Sequence, residues 1–228
     1  MARYVRVDEF GGPEVLSIVH EEQPQAGRGE VRVRVHIAGL NPVDYKMFHG
    51  GPTARRYEAV PPCGNGNDFS GVIDELGDGV TGFEVGEPMF GGERMHAQAD
   101  YVVVDATRII KKPASLTFEQ AGGLDIAGRA AWASVASLGL TAEDTVLIGA
   151  AAGGVGGLAC QLALRTGATV IGTASVANHE SLRALATLIA DGEIVLPIDR
   201  VFPLDQVQDA YRYLMAGHLH GKVMLATR

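Results

Sequence analysis

Cysteine is almost missing from this sequence. Cys63 and Cys160 are the only two. They are far apart with no clustered histidine to join them, which excludes a disulfide framework and leaves no donor set for a zinc ion. Basic charge is also short: 19 Lys and Arg face 27 Asp and Glu, a net charge of -8. That balance argues against nucleic acid or an anionic membrane surface as the main partner. No apolar run approaches the length of a membrane span, and the opening MARYVRVDEF is not a signal peptide, so a reducing, cytoplasmic setting is expected. What is present suits a folded chain: 228 residues, 46% hydrophobic and 20% charged, enough for one large domain or two small ones around a sizeable core.

One stretch organises the rest. Thr145 to Ser175 reads as strand, glycine turn, helix, strand. Thr145-Val146-Leu147-Ile148 is a continuous apolar run, the pattern of a parallel strand buried on both faces. Ala151, Ala152, Gly153, Gly154, Val155 and Gly156 follow at once and open a helix with Leu158 and Leu162 on it, Cys160 on its inward face and Gly167 as its stop. Ala168 to Thr173 is a second buried strand. Such a βαβ unit can bring backbone N–H groups at a helix N-terminus against a pyrophosphate. The register is A-x-G-x-x-G, with Ala151 in the first glycine's place; the plain alternative is a tight turn that binds nothing. Thr173 and Ser175 end the second strand, where NAD-binding units hold an acid for the ribose 2′-hydroxyl. A hydroxyl at Ser175 tolerates a 2′-phosphate, and capping the next helix is the equal alternative.

Elsewhere the pattern is β-rich. Tyr4 to Val7 and Glu30 to Ile37 alternate apolar and polar as half-buried strands do. Asn41 and Pro42 open a short helix after Gly39-Leu40. Gly50 to Pro62, with Arg55, Arg56 and Tyr57, reads as a mobile segment. Strands are expected over Asp68 to Leu76, Gly86 to Phe90 and Tyr101 to Val104, then two helices between Leu116 and Gly139 with Thr117 as N-cap.

FGGPEVL, GEVRVRV, GLNPVDYK, GNDFSGVIDELGDGVTGFEVGE, GAAAGGVGG and the closing FPLDQVQDAYRYLMAGHLHGKVML together resemble the zinc-independent medium-chain dehydrogenases/reductases, nearest the NADPH-dependent quinone oxidoreductases. The resemblance implies an α/β (mixed) fold: a GroES-like substrate domain over residues 1–115, a Rossmann-like cofactor domain over 116–191, and a return to the GroES-like domain over 192–228. It also implies an active site in the cleft between the two, with NADPH, a small-molecule substrate and no metal.

The resemblance exposes a gap. After Ser175 the family continues through further Rossmann strands, whereas here Ser181 to Leu185 runs straight into Ala186 to Gly192. Leu182, Leu185, Leu188 and Ile189 keep helical spacing, which predicts one helix from about Val176 to Asp191. Two strands with one crossover helix leave an apolar face and strand edges open, so a homodimer, or else tight packing on the GroES-like domain, is expected.

For chemistry, the resemblance places Asn41 and Asp44 in the cleft beside the nicotinamide, with Tyr45 or Lys46 as a donor one turn on; capping of the loop is the alternative role for Asn41 and Asp44. Asp68 stands where zinc relatives carry a glutamate and reads as structural. Arg55, Arg56 and Tyr57 either edge the cleft or are simply solvated, and His218 and His220 read as helix capping rather than metal ligands. Ala130 replaces the threonine of the family's G-x-T-A-W, and Asp125 stands where proline is usual. Three functions stay open: an NADPH-dependent reductase of quinones or α,β-unsaturated carbonyls; a redox-inactive relative that binds ligand or runs a non-redox cyclisation or isomerisation; and a structural, partner-binding subunit.

Overall fold

The computed structural model describes residues 1–175, 178, 195–217 and 219–227. The helix expected over Val176 to Asp191 lies outside those residues, as does His218, except that residue 178 is described.

The centre of the molecule is a seven-stranded sheet built on β3 (Glu30–Gly39). Its alternation Val31, Val33, Val35, Ile37 puts every second side chain inward, and the first three are fully buried. On one side β3 pairs antiparallel with β5 (Asp68–Leu76), which pairs with β6 (Pro88–Gly92) and through it with β8 (Ile109–Lys111). β7 (Tyr101–Asp105) also pairs with the first half of β3. On the other side the chain's last strand, β12 (Lys222–Ala226), pairs with the end of β3 and carries β11 (Ile198–Pro203) beside it. The final segment is thus built into the same sheet as residues thirty to forty. Phe69, Ile73, Met89, Val102 and Val104 fill the core between these strands.

A smaller sheet joins β1 (Ala2–Val7), β2 (Leu16–Glu21) and the two-residue β4 (Cys63–Gly64). The sequence reading passed over β2, because LSIVHE alternates weakly and becomes a strand only by pairing with β1 from Val7↔Leu16 to Ala2↔Glu21. α1 (Pro42–Phe48) and the C-terminal helix α6 (Val207–Ala216) cover this region, with Phe48 edge-on to the fully buried Tyr211. Gly50 to Pro62 holds structure where mobility was expected. Pro52 starts a short helix, α2 (Pro52–Tyr57), at its first position, and Glu58 ends it at φ +55°.

The βαβ unit forms as read. β9 (Thr145–Ile148) lies parallel to β10 (Thr169–Gly172), joined by α5 (Gly154–Leu164), and Gly167 turns the chain at φ +87°. α4 (Leu124–Leu138) packs on α5, and α3 (Phe118–Gly122) precedes it with the expected Thr117/Gln120 capping box. One expectation fails here. The two strands are buried on one face only: Val146, Ile148 and Val170 meet the helices, while Leu147 is 68% and Ile171 51% exposed. No described strand or helix covers that second face.

Candidate functional site

The site begins at a place in the large sheet where side chains are kept small. Asp68 in β5 is opposite Gly39 on one side and Gly92 on the other. A Cβ at Gly39 would come 2.5 Å from the carbonyl oxygen of Gly122, and one at Gly92 would come 2.4 Å from Asp125 Oδ2. The two glycines therefore let the α3–α4 junction lie directly on the sheet above Asp68. From there the Ile126 N–H donates to Asp68 Oδ1 at 3.0 Å.

Around Asp68 a buried polar network assembles. Asn41 Nδ2 donates to Asp68 Oδ2 at 2.9 Å, and Asn41 Oδ1 accepts from Lys222 Nζ at 2.6 Å. Lys222 Nζ also donates to the Leu40 carbonyl at 3.0 Å and reaches Asp68 Oδ2 at 3.3 Å. Asp44, fully buried, accepts from the Asn41 N–H at 2.8 Å and from Asn67 Nδ2 at 2.6 Å. Beyond it Asn65 and Gln98 both donate to the Tyr211 hydroxyl, at 2.9 and 2.6 Å. Such a network is stable only when nearly every member has a partner.

The charges respond to burial. Desolvation, then the like charge of Asp68, push the Asp44 carboxyl up to about 7 against the pull of the Asn41 N–H, Asn67 and Lys222. Desolvation also raises Asp68, opposed chiefly by Lys222. Tyr211 is raised well above its usual value by burial and by Asp44.

Lys222 joins this network to the glycine turn. Its stem runs past the start of α5, where a Cβ on Gly154 would lie 3.1 Å from Lys222 Cδ. At the turn itself Ala150 sits at φ +51°, Ala151 is fully buried and its N–H donates to the Thr173 carbonyl. Gly156 must be glycine, since a Cβ there would come 2.3 Å from the Ala150 carbonyl oxygen. α5 starts at Gly153 with no side chain capping it, so the N–H groups of Gly154, Val155 and Gly156 point out of the helix with no acceptor of their own in it. Beside them lies a groove of about 330 Å³ lined by Ala150, Ala152, Gly153, Ala174, Ser175, Asn178 and Leu219. Among the described residues no charged side chain lines it. A helix N-terminus without a side-chain cap, opening on such a groove, fits a pyrophosphate.

A second opening, about 420 Å³, lies between the large sheet and α4. Asn67 and Gly92 form its sheet side, Asp125, Ile126, Arg129 and Ala130 its helix side, and Tyr57, Arg94 and Arg108 part of its rim. The structure thus brings Asn41 and Asp44 together behind the cleft wall rather than in it, both nearly without exposure. Tyr45 packs against the apolar cluster around Phe48 and Tyr211, and Lys46 is exposed; neither lines the cleft. His220 lies beyond the helix in the loop into β12, its N–H donating to Asp199.

Sequence reasoning missed Lys222, Asn67, Asn65, Gln98 and Tyr211. The run Asn65-Gly66-Asn67-Asp68, three amide or acid side chains leading into an apolar strand, was a usable signal for the two asparagines. Nothing local marks Lys222, whose burial depends on strands far apart in the chain.

Residues 97–225 match the family described as zinc-binding dehydrogenase, and residues 27–114 the alcohol dehydrogenase GroES-like domain. Yet among the described residues no group of three or more His, Cys, Asp or Glu side chains is placed to hold a metal ion. Human quinone oxidoreductase is 33% identical over 187 residues, covering 80% of this chain and 55% of that protein. The zebrafish (Danio rerio) synaptic vesicle membrane protein VAT-1 homolog is 33% identical over 195 residues, covering 83% and 38%. The chain spans about half the length of the curated relatives it matches, 55% in the human case. Among solved structures, the quinone oxidoreductase from Coxiella burnetii superposes with a TM-score of 0.92 at 27% identity, covering 100% of this chain and 99% of that one.

Proposed function

Because the chain belongs to the medium-chain dehydrogenase/reductase family, we propose that it is an NADPH-dependent, zinc-independent reductase of quinones or α,β-unsaturated carbonyls. One observation carries the reading. Lys222 spans from the glycine turn, where its stem lies on Gly154, to the Asn41–Asp68–Asp44 network behind the cleft. The groove that fits a pyrophosphate and the cleft that could hold an acceptor are thereby built on one shared side chain.

The cofactor, when bound, supplies a hydride to an electron-poor carbon of the acceptor. The chain's own residues do the rest. The free N–H groups of Gly154, Val155 and Gly156 would hold phosphate oxygens, and Ser175 would accommodate a 2′-phosphate, since no carboxylate is among the described residues lining the groove. Asn41 and Asp44 act as positioning residues: Asp44 fixes the amide of Asn67, a residue that lines the cleft. Zinc has no role, since Asn41 and Asn67 are amides where a metal would need a charged or imidazole donor set.

The bare face of β9 and β10, with Leu147 and Ile171, and the exposed Trp132 on α4 favour a homodimer that covers them. Sedimentation at two protein concentrations tests this, and a compact monomer at both overturns it.

A second reading, a ligand-binding or non-redox relative, is favoured by Ala130, which gives the cleft a methyl where the resembling enzymes have a hydroxyl. Titrating NADPH by fluorescence or calorimetry separates the two. Saturable binding, followed by NADPH oxidation on adding a quinone, is expected; no saturable binding at millimolar NADPH overturns the reductase reading.

A further inference from the structure

The cleft between the large sheet and α4 runs against the charge of the whole molecule. The chain is acidic overall, at -8, yet three arginines, Arg94, Arg108 and Arg129, surround this one opening, against two carboxylates, Glu93 and Asp125.

The three are not equivalent. Arg108 is neutralised by Glu93 at 2.7 Å. Arg129 lies 3.4 Å from both oxygens of Asp125, a long contact for a charged pair, and is 78% exposed. Arg94 has no carboxylate within salt-bridge distance among the described residues; its guanidinium sits over the Tyr57 ring at 4.5 Å. Stacking of that kind fixes where the cation is without cancelling its charge. Arg55 and Arg56, exposed on the last turn of α2 next to Tyr57, add to the positive potential at this end.

At the floor of the same cleft lies Asn67, 5% exposed. One of its amide hydrogens is held by Asp44 at 2.6 Å, which fixes the plane of the amide against the cleft. Ile126, Gly92 and Ala130 supply the apolar wall between the amide floor and the guanidinium rim.

We infer that the cleft selects acceptors bearing a carboxylate, which Arg94 and Arg129 bind at the rim while the acceptor's polar carbonyl end lies against the Asn67 amide. The word acceptor rests on the reductase reading above; selection of the carboxylate does not. A cavity of about 420 Å³ falls within the range of small-molecule sites, so the ligand is a compact aromatic or aliphatic acid rather than a peptide.

The test uses a matched pair: 4-phenylbut-3-en-2-one and the same ketone with a para-carboxylate on its ring. Binding of each is measured by calorimetry on the full chain at low and high salt, with NADPH oxidation followed separately. The carboxylate is expected to bind roughly tenfold tighter, about the worth of one charge-assisted hydrogen bond. The preference should shrink in high salt, shrink in Arg129→Gln and nearly vanish in Arg94→Gln/Arg129→Gln, and persist in Arg212→Gln on the distant C-terminal helix. Equal binding of the two ketones, failure of the carboxylate to bind, or a preference unchanged in the double variant overturns the inference. Tighter carboxylate binding without NADPH oxidation upholds it and removes the reductase reading instead.

Discussion

Two parts of this molecule were written in similar residues and met different fates. β3, β5 and β6 bury their inward side chains completely, with Val31, Val33, Val35, Phe69 and Met89 at 0% exposure. β9 and β10 are just as apolar, yet Leu147 and Ile171 face outward. The large sheet encloses its core because seven strands are hydrogen-bonded together in it and its inner face is filled from several of them. The two-stranded sheet has α4 and α5 on one face, and no described element on the other. Apolar sequence makes a strand eligible for burial; neighbours on both faces complete it.

The sharpest way to break this contrast is to cut into each part in turn. Phe69→Ala should cost about 3–5 kcal/mol, the usual range for emptying an aromatic site in a packed core, read as a lower urea midpoint. Lys222→Met should cost a similar amount, about 3–5 kcal/mol, since it leaves Asp68 buried without its cation. It should also weaken NADPH binding, because the same side chain packs on Gly154. Loss of stability with unchanged cofactor affinity would separate the two halves that Lys222 is argued to join.

At the turn, Gly156→Ala sets two effects against each other. Alanine favours a helix by up to about 1 kcal/mol over glycine, but its Cβ would press on the Ala150 carbonyl at 2.3 Å. Backbone cannot yield as a side chain does, so a net loss of about 1–3 kcal/mol and weaker nucleotide binding are expected by thermal melt and titration.

The buried network gives a pH dependence with a definite sign. The Asp44 carboxyl is raised to about 7 in the fold, against about 3.9 in the unfolded chain. Between those values the folded state holds the proton and the unfolded state does not. Stability from this group is therefore greatest below about pH 4 and falls as pH rises towards 7, by at most about 1.4 kcal/mol per pH unit. Asp44→Asn should flatten that slope between pH 5 and 7 in urea titrations, and an unchanged slope would show that Asp44 does not hold its proton there. The smallest effect belongs to the open face: Leu147→Ser should change monomer stability by less than about 0.5 kcal/mol, while weakening any dimer that covers it.

The legible parts were those with local causes. The alternation of Glu30 to Ile37, the Thr117 cap and the strand–turn–helix at Ala151 to Gly156 each depend on residues within a few positions of one another, and each formed as read. Leu16 to Glu21 and Pro52 to Tyr57 were missed for opposite reasons. The first is a strand only through its partner, and the second, read as part of a mobile segment, is a helix of only six residues that Pro52 starts. At the candidate site, Asn41 and Asp44 were legible as a pair because they flank one helix start. That they face a buried lysine and Asn67 instead of open space was not.

By itself, then, the chain determined its mixed α/β character, the phosphate-sized turn at α5 and the family to which it belongs, because those rest on spacing and on residue types in order. Only the tertiary structure decided that Lys222 is buried between the turn and Asp68, that Asn67 is the amide at the cleft floor, and that three arginines gather around an opening in an acidic protein. The first depends on β12 returning to pair with β3 across nearly two hundred residues, the other two on α4 lying against β5 and β6, and contact at such separations is set by packing rather than by local sequence.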